Sequence, residues 1–262
     1  MHKTISYDQE EIFQSIRQLY VKEPFQLDPT YSKGGFYSSS QERPELCYDI
    51  SPQSPEVNQA DCRDLPIDDG TIRSIMFDPP FLATKGPSLE SLKGNIINRR
   101  FSVFPDEPSL HDFYRESLLE FYRVLKPGGW LVFKCQDKVS SGKQYFSHCF
   151  IYAEARAIGF YAKDLFVYGK RARIVANWQR NQQHARKHHC YFWVFQKKKV
   201  NLCILLRLRR SHLRAATVSR SSGSCALLLR LLAGWIDFSL VSPSIPAANL
   251  LHWHVCLLKC ID

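Results

Sequence analysis

Ser74-Ile75-Met76-Phe77-Asp78-Pro79-Pro80-Phe81 is the stretch on which the reading of the chain turns. Apolar residues from Ile72 to Phe77 run for the length of a strand and stop abruptly at a carboxylate. Two successive prolines hold the next backbone units extended and remove two donors, so the Pro79 carbonyl points outward without an internal partner. A carboxylate beside a free carbonyl makes a pair of acceptors suited to the two hydrogens of an amino group. Phe81 adds a flat face on which a base can stack. Taken alone, the tetrapeptide reads equally well as a proline loop closing a strand, with Asp78 as a cap and Phe81 in the core. Its position decides between the two.

Upstream, Asp68-Asp69-Gly70 is a turn signal. Before it come three short apolar pieces, residues 25–27, 46–50 and 59–66, each expected as a strand. The first runs into Asp28-Pro29-Thr30-Tyr31-Ser32-Lys33-Gly34-Gly35, a glycine-containing loop. Strands ending on Asp49, Asp61 and Asp78 would gather acidic groups along one sheet edge. Residues 8–20 read as a helix capped by Asp8, with Glu11 at capping-box spacing. Downstream, Leu110, Phe113, Tyr114, Leu118, Phe121, Val124 and Leu125 hold a helical period over 109–125, with Ser109 and Asp112 as its cap and Pro127-Gly128-Gly129 as its end. A strand at 130–135, a helix from about 141 to 158 and strands at 160–167 and 190–195 follow. Alternation of this kind predicts an α/β fold, a mostly parallel sheet with helices on both faces, whose ligands bind beyond the carboxyl ends of the strands.

At 262 residues and 45% hydrophobic content the chain has ample material for a core, and global disorder is excluded. Lys and Arg exceed Asp and Glu by ten, which suits a polyanionic partner. Half of that surplus lies after Lys199, where seven basic residues meet only Asp237 and Asp262. Residues 200–262 are rich in Leu, Ser and Arg without a sustained period, so the domain is expected to end at residue 199 and the tail not to form a folded domain. Pro243 and Pro246 interrupt the tail's uncharged stretch, and no membrane span is expected. Nine scattered cysteines without a CxxC pair read as free thiols of a reducing, cytoplasmic setting. His184, His188, His189 and Cys190 are close in sequence, but neighbours on a strand face opposite ways, so no metal site is expected.

Asp61 followed by Leu65-Pro66, then residues 74–81, then Arg123-Val124-Leu125-Lys126-Pro127-Gly128-Gly129 before a strand, resembles the class I S-adenosylmethionine-dependent methyltransferases of the DNA N6-adenine/N4-cytosine type. The resemblance covers roughly residues 25–196. It implies a Rossmann-like seven-stranded sheet with an antiparallel final hairpin, here 160–167 with 190–195. It also implies methyl transfer from S-adenosylmethionine to an exocyclic amino group of a nucleobase. In that frame Asp78, Pro79, Pro80 and Phe81 are the catalytic residues. Asp49 would hold the ribose and Asp61, with Cys62, the adenine of the cofactor. The loop at 28–35 departs from the family's GxGxG pattern, and Asp28, Tyr31 and Gly34 are its candidate cofactor contacts.

Nucleic acid is the expected partner, with DNA placed ahead of RNA. Lys134 and Lys138 should sit at the same edge as Asp78, lining the entrance for the base. Arg171, Arg173 and Arg180 would meet phosphates, and Trp178 would stack or wedge. A solvated hairpin loop is the alternative for that segment. C5-cytosine methylation is disfavoured because the chain has no Pro-Cys dipeptide to supply its nucleophile, and neither a P-loop nor a Ser-His-Asp order is present. A binding module that kept the fold and lost catalysis is the competing reading from another class.

Overall fold

The computed structural model describes residues 2–37, 42–81, 83, 104–170 and 184–198. The chain divides into two units, Met1–Val200 and Asn201–Asp262. The second unit lies outside the described residues, and so does the expectation placed on the tail.

Eight strands form the main sheet: β1 (Ile5–Ser6), β2 (Leu27–Asp28), β3 (Leu46–Asp49), β4 (Asn58–Gln59), β5 (Ile72–Phe77), β6 (Leu125–Cys135), β9 (Phe160–Gly169) and β10 (His189–Lys197). Their spatial order is β1-β9-β10-β6-β5-β2-β3-β4. Only β10 runs antiparallel to its neighbours, closing a hairpin with β9 and pairing β6. Seven of the strands make the arrangement the sequence implied. The two-residue β1 extends it by pairing parallel to β9. From β2 the chain steps outward through β3 and β4, then returns to lay β5 on the other side of β2. Strand order therefore reverses between β2 and β5, the place where open α/β sheets form their ligand crevice.

Alternation along the strands sorts the core into two layers. Ile75, Phe77, Leu131 and Phe133 join Leu110, Tyr114, Leu118 and Phe121 of helix α2 (Glu107–Val124) and Ile151 and Ala155 of α3 (Ser147–Ile158). On the opposite face Met76, Val132, Phe192 and Val194 pack against Ile12, Phe13 and Ile16 of α1 (Gln9–Leu19). Five described cysteines are free thiols, four of them buried and Cys149 exposed. Among the described residues no helix is long and apolar enough to cross a membrane.

Several local expectations need correction. Helix α1 is capped by Asp8, whose carboxylate accepts from the Glu10 N–H, but Glu11 does not close a capping box. Instead Ser6 donates to Glu11 and accepts from the Asp8 N–H, so a hydroxyl stands between the two. Helix α2 starts two residues early: Asp106 caps it by accepting from the Ser109 N–H and hydroxyl, and Pro108 fits the first turn because no donor is needed there. The helix expected from about residue 141 begins only at Ser147. The preceding stretch is a small hairpin, β7 (Lys138–Ser140) with β8 (Lys143–Tyr145). Ser141 and Gly142 both have positive φ, 49° and 73°, the backbone a tight two-residue hairpin turn requires.

Arg123 and the glycines that follow it have separate tasks. The Arg123 guanidinium donates to the carbonyls of Leu65 and Ile67 and to Glu120 and Asp69, while Glu120 accepts from the Leu65 N–H. One side chain thus fastens the loop after β4 to α2. Gly128 takes φ +85°. A Cβ on Gly129 would meet the Lys126 carbonyl at 2.9 Å and the Arg73 carbonyl at 3.1 Å, so the β5–β6 approach leaves no room for a side chain.

Candidate active site

Register explains what gathers at the carboxyl ends of the strands. Leu27 is level with Ile75 across the switch point, and Phe77 is level with Phe133. One step beyond Phe77 and Phe133 stand Asp78 and Lys134, and across the crevice Asp28 ends β2, joined to Asp78 through Thr30.

Asp28 is buried, with 2% of its surface exposed. Its Oδ1 accepts from the Thr30 N–H at 2.8 Å and the Thr30 hydroxyl at 3.3 Å, and its Oδ2 accepts from the Tyr37 hydroxyl at 2.8 Å. Burial pushes its carboxyl up to about 7, against the opposing pull of the Thr30 and Tyr37 donors, and the nearby Asp78 adds to the rise. A carboxylate held in this way favours the arrival of a positive group.

The loop after Asp28 is tightly built. The Tyr31 N–H donates to the Tyr48 carbonyl at 3.0 Å, and the Gly34 N–H donates to the Tyr31 carbonyl at 2.8 Å. Gly34 has φ +68°, and a Cβ there would run into the Tyr31 hydroxyl and ring, so both conformation and space call for glycine. Tyr31 stacks on Tyr37 with centroids 5.6 Å apart, and the Arg43 guanidinium lies 5.3 Å from the Tyr31 ring. Ser32 adopts φ +53° and presents its N–H to Asp49 Oδ2 at 2.9 Å. The Ser32 hydroxyl is buried without a hydrogen-bond partner among the described residues. An orphaned polar atom of this kind beside the Asp49 carboxylate fits a ligand with hydroxyl or amino groups.

Asp49, at the end of β3, is buried, and burial raises its carboxyl above the ordinary range. It also accepts from the Ser51 N–H at 2.8 Å. Asp61 lies beyond β4 in the stretch bridged to Asp64. Arg63 lies on both of its oxygens, at 3.0 Å and 2.7 Å, and lowers its carboxyl below the ordinary range. The Cys62 side chain belongs to the core, 3.5 Å from the Ser117 hydroxyl, so only its main chain is available to a ligand.

At the end of β5 the Asp78 N–H donates to the Thr30 hydroxyl at 3.2 Å. Thr30 therefore ties the two sides of the switch point together. Pro79 is buried, and among the described residues nothing donates to its carbonyl. The Pro80 carbonyl does have a partner: the buried Tyr114 of α2 donates to it at 3.0 Å. The two carbonyls of the Pro-Pro unit are thus told apart, one fixed to the scaffold and one without a donor among the described residues. Phe81 is partly buried, and its carbonyl accepts from Lys138.

The two lysines occupy different positions. Lys138 is half-buried and pairs with the buried Glu107 at 3.0 Å, so its ammonium fastens α2 to β7. Lys134 pairs with Asp78 at 3.0 Å, against the rings of Phe36 and Phe192. Arg171, Arg173, Trp178 and Arg180 lie outside the described residues. Thr30, Tyr37 and Tyr114 were not singled out from sequence. Tyr37 and Tyr114 each act through one hydrogen bond and Thr30 through three, and no local pattern signals the contacts that cross between elements.

A sheet reversing between Asp28 and Asp78, with acidic residues at successive strand ends and an antiparallel last hairpin, defines a class I methyltransferase fold. Residues 72–230 match the DNA methylase family, more than half of the chain, and the protein belongs to that family. The match begins at β5, leaving the 28–35 loop, Asp49 and Asp61 upstream of it. None of the curated proteins matches the sequence. Similar solved structures include a provisionally assigned DNA modification methylase of Thermus thermophilus complexed with S-adenosyl-L-methionine. It is 18% identical with a TM-score of 0.37, over 54% of this chain and 52% of that one. Another is a SAM-dependent methyltransferase of Thermotoga maritima, 16% identical with a TM-score of 0.40, over 71% of this chain and 86% of that one. The chain thus spans about half the length of the Thermus methylase.

Proposed function

We propose that this chain transfers a methyl group from S-adenosylmethionine to the exocyclic amino group of an adenine (N6) or cytosine (N4) in DNA. The observation that carries the reading is the pair of acceptors at the switch point: the Asp78 carboxylate and the Pro79 carbonyl, the second with no described donor. The family match supports the substrate class.

The residues upstream of β5 fit the cofactor. Asp28, buried and able to take up a cation's charge, the orphaned Ser32 hydroxyl, Asp49 and the main chain around Gly34 would hold it, with Tyr31 beside them. Asp61 and the Cys62 main chain would close the far end. When bound, S-adenosylmethionine supplies a methyl group already activated by its sulfonium centre.

The rest of the task is alignment. Asp78 accepts one amino hydrogen and the Pro79 carbonyl the other, which fixes the nitrogen and turns its lone pair outward. Phe81 stacks on the base. Tyr114 holds the Pro80 carbonyl, so the Pro-Pro unit cannot rotate its acceptor away. No strong general base is required, because the proton can leave after transfer. A base in a duplex cannot reach this crevice while stacked, so it must be flipped out.

Incubation with labelled S-adenosylmethionine and either duplex DNA, single-stranded DNA or bulk RNA tests the reading. Label is expected in DNA. Label confined to RNA would replace the substrate class, and cofactor binding without transfer to any of the three would leave a binding module.

A further inference from the structure

We propose that Lys134 is a positioning residue for Asp78, holding that carboxylate in the orientation that receives the amino group; this rests on the reading above. The β5–β6 register sets Asp78 and Lys134 side by side, one step beyond Phe77 and Phe133. The β6–β10 register sets Lys134 opposite Phe192. All three lie on the α1 face of the sheet, where Phe36 also packs. The ammonium is 3.0 Å from Asp78 Oδ2, 5.0 Å from the Phe36 centroid and 5.6 Å from the Phe192 centroid, and the Lys134 side chain is only 12% exposed.

Two aromatic faces confine the cation, so the ion pair has little freedom to splay. Lys134 holds Oδ2 and Thr30 holds the Asp78 N–H, which leaves Oδ1 for an incoming hydrogen. Among the described residues nothing donates to Oδ1. A lysine placed in this way lines the entrance for the base, as its sequence position suggested, and has little reach toward a phosphate.

Steady-state kinetics of the full chain with Lys134→Met and Lys134→Arg, on duplex DNA at several salt concentrations, separates the two roles. Cofactor binding and thermal melting report on folding. Positioning predicts a fall in kcat of about a hundredfold for Lys134→Met, KM for DNA within about threefold of the parent, an unchanged salt slope, and substantial recovery in Lys134→Arg. An unchanged kcat would overturn the proposal. So would a raised KM with a salt slope shallower by about one, the mark of a lost phosphate contact. Equal loss in the Met and Arg variants would also overturn it. A parent chain that methylates no DNA would overturn the function itself, a result distinct from any of these.

Discussion

Asp28 and Asp78 end neighbouring parallel strands on opposite sides of the switch point, and one threonine joins them. The Thr30 N–H and hydroxyl donate to Asp28, at 2.8 Å and 3.3 Å, while the same hydroxyl accepts from the Asp78 N–H at 3.2 Å. Residues proposed for the cofactor and for the target base therefore share one hydrogen-bonded hub. A displacement of Thr30 itself would be felt at the catalytic strand end.

Asp28 carries a stability cost that depends on pH. In the folded chain its carboxyl is pushed up to about 7, against an ordinary value of 3.8. The folded state therefore keeps a proton over that interval that the unfolded chain has lost, and stability falls as pH rises from about 4 to about 7. Asp28→Asn should melt several degrees above the parent at pH 8, with the gain shrinking towards pH 4. Cofactor affinity of the parent should strengthen from pH 6 to pH 8, as Asp28 ionises, and that of Asp28→Asn should be weak and flat. Calorimetric melting and titration across this range check both. A parent whose affinity does not change with pH would count against the role of Asp28.

Tyr114→Phe removes a single hydroxyl and leaves the Pro80 carbonyl without its donor. A loss of about 1–2 kcal/mol of stability is expected from the unpaired group. Methyl transfer should fall further than cofactor binding, because the loosened unit is the one carrying the acceptor pair. Denaturant melts read alongside kcat and cofactor affinity make the comparison. Equal losses in binding and turnover would assign Tyr114 to the core alone.

At Gly34 an added methyl group meets the Tyr31 ring and must adopt φ +68°. Gly34→Ala should weaken cofactor binding about tenfold or more, while the Asp78 end of the site keeps its structure. Binding titration checks it, and unchanged affinity would place the cofactor away from this loop.

We propose that residues 1–200 fold and act without the segment after them. The family match runs on to residue 230, so truncations after 200 and after 230 should be compared for melting, cofactor binding and methyl transfer. Retention of all three in the shorter chain is expected. Loss restored by residues 201–230 would assign that stretch to the catalytic domain.

Long apolar runs and strand-end carboxylates made the sheet legible before any coordinates. Ile72–Phe77 is a strand within the expected bounds, and α2 starts two residues early and ends at Val124, with Pro127-Gly128-Gly129 inside β6 rather than ending the helix. The errors fell where two local signals compete. Ser141-Gly142 is a turn pair that also precedes a helical period, and tertiary pairing of Lys138–Ser140 with Lys143–Tyr145 settled it as a hairpin. Asp106 outcompeted Ser109 and Asp112 as the cap because Pro108 suits the first turn it opens. Within the site, Asp49 and Asp78 were legible as carboxylates at strand ends, whereas Asp61, expected at the end of a strand over 59–66, lies beyond the two-residue β4. Thr30, Tyr37 and Tyr114 were not, since their value lies in partners up to 48 residues away. Lys134 was expected at the same edge as Asp78, but its pairing with that carboxylate emerges only from the strand register.

The most direct measurement is mass analysis of nucleosides from duplex DNA incubated with S-adenosylmethionine and either the parent chain or Asp78→Ala. N6-methyladenine or N4-methylcytosine is predicted with the parent, and a loss of at least about a hundredfold in Asp78→Ala with cofactor binding retained. Full methylation by Asp78→Ala, or 5-methylcytosine as the product, would contradict that role for the Asp78 and Pro79 acceptor pair.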